Sequence, residues 1–211
     1  MWKARTEDRE MKSIDDFIKA YEAAQYWWEP LDRPILAAFS AYPGHDDVGE
    51  VFAKIALVNR VYRANLQMGG KDSEWKVAER MVEQREKLNT MFVRLRSCER
   101  FCRDTLPCIM DAHEQLLPLA GSVTGRVENS FCSKYLSFHL PDSIPIFDRW
   151  AYRSSWKLMK KRLPRGMYSG KSNIDYGYHC EAVICLIDAL KSHLGHFPSL
   201  KLVDYILYSE R

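Results

Sequence analysis

The sequence predicts an all-α fold. Three observations lead there. Apolar residues recur at helical spacing along most of the chain, as in Ile14, Phe17, Ile18 and Tyr21. Proline and glycine clusters punctuate these periodic segments. No stretch shows a convincing strand alternation, and no internal repeat or long linker interrupts the pattern. With 211 residues the chain can bury one sizeable core. Residues 1–211 therefore read as a single helical domain, folded as one unit or as two helical lobes.

The elements follow in order. Ser13 is a candidate N-cap for a first helix, which "EPLDRP" (29–34) is expected to break. A short apolar piece, Ile35 to Tyr42, ends at Pro43-Gly44. "DDVGEVFAKIALVNRVYRANL" opens with acids and closes with arginines, which suits the helix dipole, and Gly69-Gly70 ends it. Asp72 or Ser73 starts one long charged helix running to about Cys102. Pro107 starts another, and "AGSVTG" (120–125) reads as a loop. A further helix is expected over 130–140, another from Asp148 to about Leu163, and two more at the C-terminus.

Composition is that of an ordinary soluble protein, and a net charge of +3 decides nothing globally. No apolar stretch approaches the ~20 residues needed to span a bilayer. The charged N-terminus has no signal-peptide core, so a cytoplasmic location is expected. The six cysteines match no zinc framework, so free thiols are expected, with no metal and no cofactor.

The most informative stretch is "SFCSKYLSFHLPDSIPIFDRW", residues 130–150. On a helix, Phe131, Cys132, Tyr135, Leu136, Phe138 and Leu140 cover most of the circumference. Ser130, Ser133, Lys134 and Ser137 form a narrow polar stripe. A lone lysine in such a helix has two fates. It snorkels to water, or it lines a cleft where desolvation lowers its pKa and frees a nucleophilic amine. Pro141 ends the helix, and Pro145 holds Ile144 extended. Asp148 then stands where the next helix begins. It reads as an N-cap, a role compatible with a carboxylate facing a cleft shared with Lys134.

The following segment carries one sign of charge. Arg149, Arg153, Lys157, Lys160, Lys161, Arg162, Arg165 and Lys171 occur there with no acid among them. Arg149, Arg153, Lys157 and Lys161 share one helical face, interleaved with Trp150, Tyr152 and Trp156. Solvated faces normally carry both signs, so this stripe reads as a footprint for phosphate.

"SKYLSFHLPDSIPIFDRW" resembles the active-site stretch of the helix-hairpin-helix DNA glycosylases, specifically the 8-oxoguanine DNA glycosylase-like branch. "IALVNRVYRANL" resembles the upstream helix of that family, which carries an asparagine, here Asn59. The resemblance covers roughly residues 50 to 160. The family's Leu-Pro-Gly-Val-Gly hairpin is absent, with "TGRVENSFCSK" in its place, so an altered or missing phosphate clamp is expected. The iron–sulfur loop of some relatives is absent too.

The resemblance implies a multi-helix glycosylase-like fold with a cleft between two helical lobes. It implies a DNA glycosylase, with or without AP-lyase activity, that flips and excises a damaged or modified base, in repair or anti-phage defence. Lys134 and Asp148 would be catalytic. Asn59, Tyr62, His139 and Trp150 would bind substrate; Trp27 and Trp28 are further pocket candidates. Arg60, Arg63, Arg149, Arg153, Lys157 and Lys161 would hold DNA. The partner is DNA, not membrane, and a monomer is expected. The alternative is a non-catalytic helical DNA-binding or adaptor protein, or a regulator whose basic stripe meets an acidic protein.

Overall fold

The computed structural model describes residues 14–159 and 173–209, and every regular element among them is helical. The α-helices are α1 (Ile14–Ala41), α2 (Val48–Val61), α3 (Ser73–Glu83), α4 (Arg85–Leu95), α5 (Leu106–Thr124), α6 (Asn129–His139), α7 (Arg149–Met159), α8 (Ile174–Leu194) and α9 (Leu200–Ser209). A 3-10 turn, Leu66–Gly69, lies between α2 and α3. No helix among the described residues is long and apolar enough to cross a membrane.

Four boundaries differ from those expected. α1 runs unbroken through Pro30 and Pro34. Both prolines are exposed, so the missing N–H groups fall on the solvent side, where water serves the freed carbonyls. Ile35 and Phe39 on the opposite face are buried and hold the helix down. α2 stops at Val61, short of "RANL", because Arg63 and Asn65 adopt positive φ values of 49° and 63°. Those values do not continue a right-handed helix.

The long charged helix splits at Gln84, whose φ of −105° and ψ of 19° leave the helical region. The split lets Val77, Ala78 and Met81 of α3 and Leu88, Met91, Phe92 and Leu95 of α4 all reach the core. "AGSVTG" is not a loop: α5 continues to Thr124 and ends on Gly125 in a left-handed conformation. Gly125 N–H donates to the Gly121 carbonyl at 2.8 Å. Glycine adopts that C-terminal position without penalty.

One continuous apolar cluster joins the elements, and α6 passes through it. Residues 131–138 are all buried. The polar stripe expected on α6 is therefore enclosed, so its groups must be satisfied by neighbouring segments. α7 packs on α8 and α9, and α6 packs on α1, α2 and α5.

Candidate active site

The path to the site starts at Ser133. Its Oγ accepts from Phe147 N–H at 2.9 Å and donates to the Ser130 carbonyl at 3.1 Å. Tyr176 Oη donates to the Pro145 carbonyl at 3.2 Å, and His179 Nε2 reaches the Ile146 carbonyl at 3.0 Å. Burial holds the His179 pKa down at about 4, so the ring is neutral and donates from Nε2. Three consecutive residues of the extended segment 145–147 are thus anchored. The corner that Pro141 and Pro145 begin is completed by α6 and α8.

That corner delivers Asp148. Its Oδ1 accepts from Trp150 N–H at 2.6 Å and Ala151 N–H at 3.3 Å, capping α7. Capping fixes the carboxylate in place. No hydrogen bond to Oδ2 occurs among the described residues.

Lys134 lies across from it, 3% exposed. Its Nζ donates to the Tyr62 carbonyl and to Ser130 Oγ, both at 2.9 Å. Both partners are neutral. Burial lowers the Lys134 pKa, while Asp148 and Asp204 pull it back up. A desolvated amine without a salt-bridge partner is the form that becomes nucleophilic near neutral pH.

Lys134 and Asp148 line one cleft of about 1710 Å³. That exceeds the ~300–1,000 Å³ of a typical small-molecule pocket. A second lysine stands in the same cleft. Lys201 Nζ donates to Asp32 Oδ2 at 2.6 Å and to Tyr62 Oη at 3.1 Å. It is held as an ion pair, which separates its chemistry from that of Lys134. Asp204 completes the charged group; burial raises its pKa to about 6, with Lys201 opposing and Asp148 adding to the rise.

The other expected residues divide sharply. Tyr62, Arg63, Arg149, Trp150 and Arg153 line the cleft. Tyr62 is more a support than a ligand group, since its hydroxyl bonds Asp32 and its carbonyl holds Lys134. Lys157 is exposed on α7 beyond the cleft wall. Lys161 lies outside the described residues, as do the side chains of Trp27 and Trp28.

Asn59, Arg60 and His139 do not line the cleft. Asn59 does not face the cleft: its Nδ2 donates to Gln67 Oε1 and to Glu74, and its Oδ1 accepts from Leu66 N–H. It shapes the turn after α2. Arg60 is exposed and pairs with Glu74 at 3.4 Å, away from the cleft. His139 packs among Phe39, His45, Phe92 and Tyr135. Burial pushes its pKa down, with Lys54 and His45 adding to the shift, so its ring is neutral, half-buried against the core.

Asp32, Lys201 and Asp204 were not anticipated, while Ser130 and Ser133 were foreseen only as part of the polar stripe of α6. Lys201 and Asp204 carried the same signal as Lys134, isolated charges in an apolar run, "LKLVDYILY". All six cysteines are free, and no group of three His, Cys, Asp or Glu side chains among the described residues is placed to hold a metal ion. No protein-family model, curated protein or solved structure matches the chain.

Proposed function

We propose that this protein is a DNA glycosylase of helix-hairpin-helix type, able to process the abasic product, and that its cleft lies between two helical lobes. The observation that carries the reading is Lys134: a buried amine whose hydrogen bonds, among the described residues, go to neutral oxygens, in one cleft with a fixed carboxylate. The connection from α5 to α6 adds support. Lys134 lies in the second of two helices, α5 and α6, which are joined across Gly125 and pack against each other.

The chemistry follows from these positions. A nucleotide flipped from the stack enters the cleft. Lys134 Nζ, in its neutral form, attacks the sugar C1′. The bond from C1′ to the base breaks, and the base leaves with its electron pair and takes up a proton. Asp148 stabilises the positive charge that develops on the sugar. Opening of the sugar ring gives a Schiff base between Lys134 and C1′. Loss of a C2′ proton then expels the 3′ phosphate by β-elimination. Lys201, paired with Asp32, does not substitute for Lys134.

The test is borohydride trapping on DNA bearing candidate modified bases or an abasic site. The wild type forms a covalent adduct, and Lys134→Ala does not. If the protein binds DNA but gives neither adduct nor base release on any substrate, the non-catalytic binding reading replaces this one.

A further inference from the structure

α7 carries a surface that the Lys134–Asp148 chemistry does not use. At about 100° per residue, Arg149, Arg153 and Lys157 fall along the middle of one arc of the helix. Trp156 and Tyr152 flank the cations on one side, and Trp150 flanks them on the other. All six lie within about 160° of the circumference. The opposite side of the helix, Ala151, Ser154 and Ser155, is buried.

The exposures agree with this placement. Trp150 is 46% exposed and Trp156 43% exposed, among the few large apolar side chains so open to solvent. Arg149, Arg153 and Lys157 are exposed as well. The Arg153 guanidinium sits 5.2 Å from the centre of the Trp150 ring. Trp156 is steadied by Tyr178 of α8, with ring centres 5.8 Å apart. No acid occurs on α7.

Exposed indoles beside cations have a physical complement. The cations attract phosphate whatever its sequence. The indoles gain most by stacking on flat π faces, which a duplex keeps covered by its own base pairs. Double-stranded DNA therefore satisfies the cations and leaves the tryptophans in water. An unpaired strand satisfies both. The arrangement also has a direction: Arg149, Trp150 and Arg153 line the cleft, whereas Trp156 and Lys157 lie beyond it. A strand leaving the cleft along α7 meets Trp150 first and Trp156 ~9 Å further along the helix axis.

We propose that the outer face of α7 is a binding site for single-stranded DNA, stacking bases on Trp150 and Trp156 and holding phosphates with Arg149, Arg153 and Lys157. This rests on the glycosylase reading for its biological sense, but its test does not depend on Lys134. Unpaired DNA is then the preferred substrate form, or the form that flanks the flipped nucleotide.

The test is fluorescence anisotropy with the full chain, a labelled oligothymidylate and a duplex of equal length, both free of lesions. The oligothymidylate binds at least as tightly as the duplex. Trp150→Ala and Trp156→Ala each weaken its binding by about fivefold to a hundredfold, the range of one lost base stack. Duplex affinity changes less than twofold in the same variants. Trp150→Phe and Trp156→Phe restore most of the loss, which a misfolded helix would not. Equal losses on both DNA forms, or no loss on the oligothymidylate, overturn the proposal. So does a clear preference for duplex. A chain that binds oligothymidylate as expected yet gives neither adduct nor base release on any substrate overturns the catalytic reading and leaves this site standing.

Discussion

Asp148 caps α7 and is proposed to act in catalysis with the same carboxylate, and single substitutions can separate the two roles. Asparagine caps helices about as well as aspartate but carries no charge. Asp148→Asn is expected to leave thermal stability nearly unchanged while lowering base release at least ~100-fold, the scale of a lost electrostatic stabiliser. Asp148→Ala removes the cap too, adding a loss of about 1 kcal/mol in urea unfolding. Equal stability in the two variants would show that the cap is not what holds the start of α7. Asp204 makes the reverse case. Its folded pKa of about 6 lies above the ordinary 3.8, so the folded state binds more protons than the unfolded state between those values. Its contribution to stability therefore improves as pH falls through 6, and its penalty is complete above that. Asp204→Asn is expected to raise the melting temperature by about 2–5 °C at pH 7.5, and by less at pH 5. A drop in melting temperature, or a gain independent of pH, would contradict the burial penalty.

At the scale of elements, two glycines govern how the hairpin and the turn after α2 meet. A methyl group on Gly125 would touch nothing, so only its φ of +68° resists substitution. Gly125→Ala should cost about 1 kcal/mol. Gly69 is different. A Cβ there would stand 2.7 Å from the Thr124 Cα, against the last residue of α5. Backbone must move to admit it, so Gly69→Ala should cost about 2–3 kcal/mol in urea unfolding. Equal costs would mean that the 3-10 turn yields freely. The sequence placed a break at the prolines of α1 and a loop at "AGSVTG", and both stretches are helical. Local breaking signals lost there because Ile35, Phe39 and Ala120 are buried, and burial of such residues outweighs a local preference. At α3 and α4 the reverse held: helical periodicity ran through Gln84, but reaching the core with both halves required a kink.

At the scale of the whole molecule, Arg63, Arg149 and Arg153 line one cleft that acids such as Asp32, Asp142 and Asp175 share, in a chain of net charge +3. The phosphate contacts proposed for α7 would make affinity depend on salt. Neutralising Arg153 and Lys157 together should flatten the plot of log affinity against log salt by about one to two units. An unchanged slope would remove α7 from the interface.

An isolated charge in an apolar helix was a legible sign, and it marked Lys134, Lys201 and Asp204 alike. It marked Lys54 equally well, in "VFAKIALV". Yet Lys54 Nζ only holds the Tyr42 and Gly44 carbonyls, each at 2.8 Å, on the loop after α1. Its pKa is lowered to about 8 by burial as well. The sign finds buried charge; it does not say what the charge faces.

The sequence by itself determined that the chain is helical, that Lys134 sits on a narrow polar stripe of a largely apolar helix, and that Asp148 begins the next one. Those follow from periodicity and capping, which act over a few residues. Only the tertiary structure decided that Lys134 rests on neutral oxygens while Lys201 is ion-paired, and that Asn59 and His139 turn away from the cleft. Tyr62, just past α2, and Asp32, in α1, are brought to their lysines from other parts of the chain, whereas Ser130 lies one turn before Lys134 in α6. Electrostatics in a cleft depend on distances between such elements, and those distances are set by how helices pack, not by any segment's own pattern.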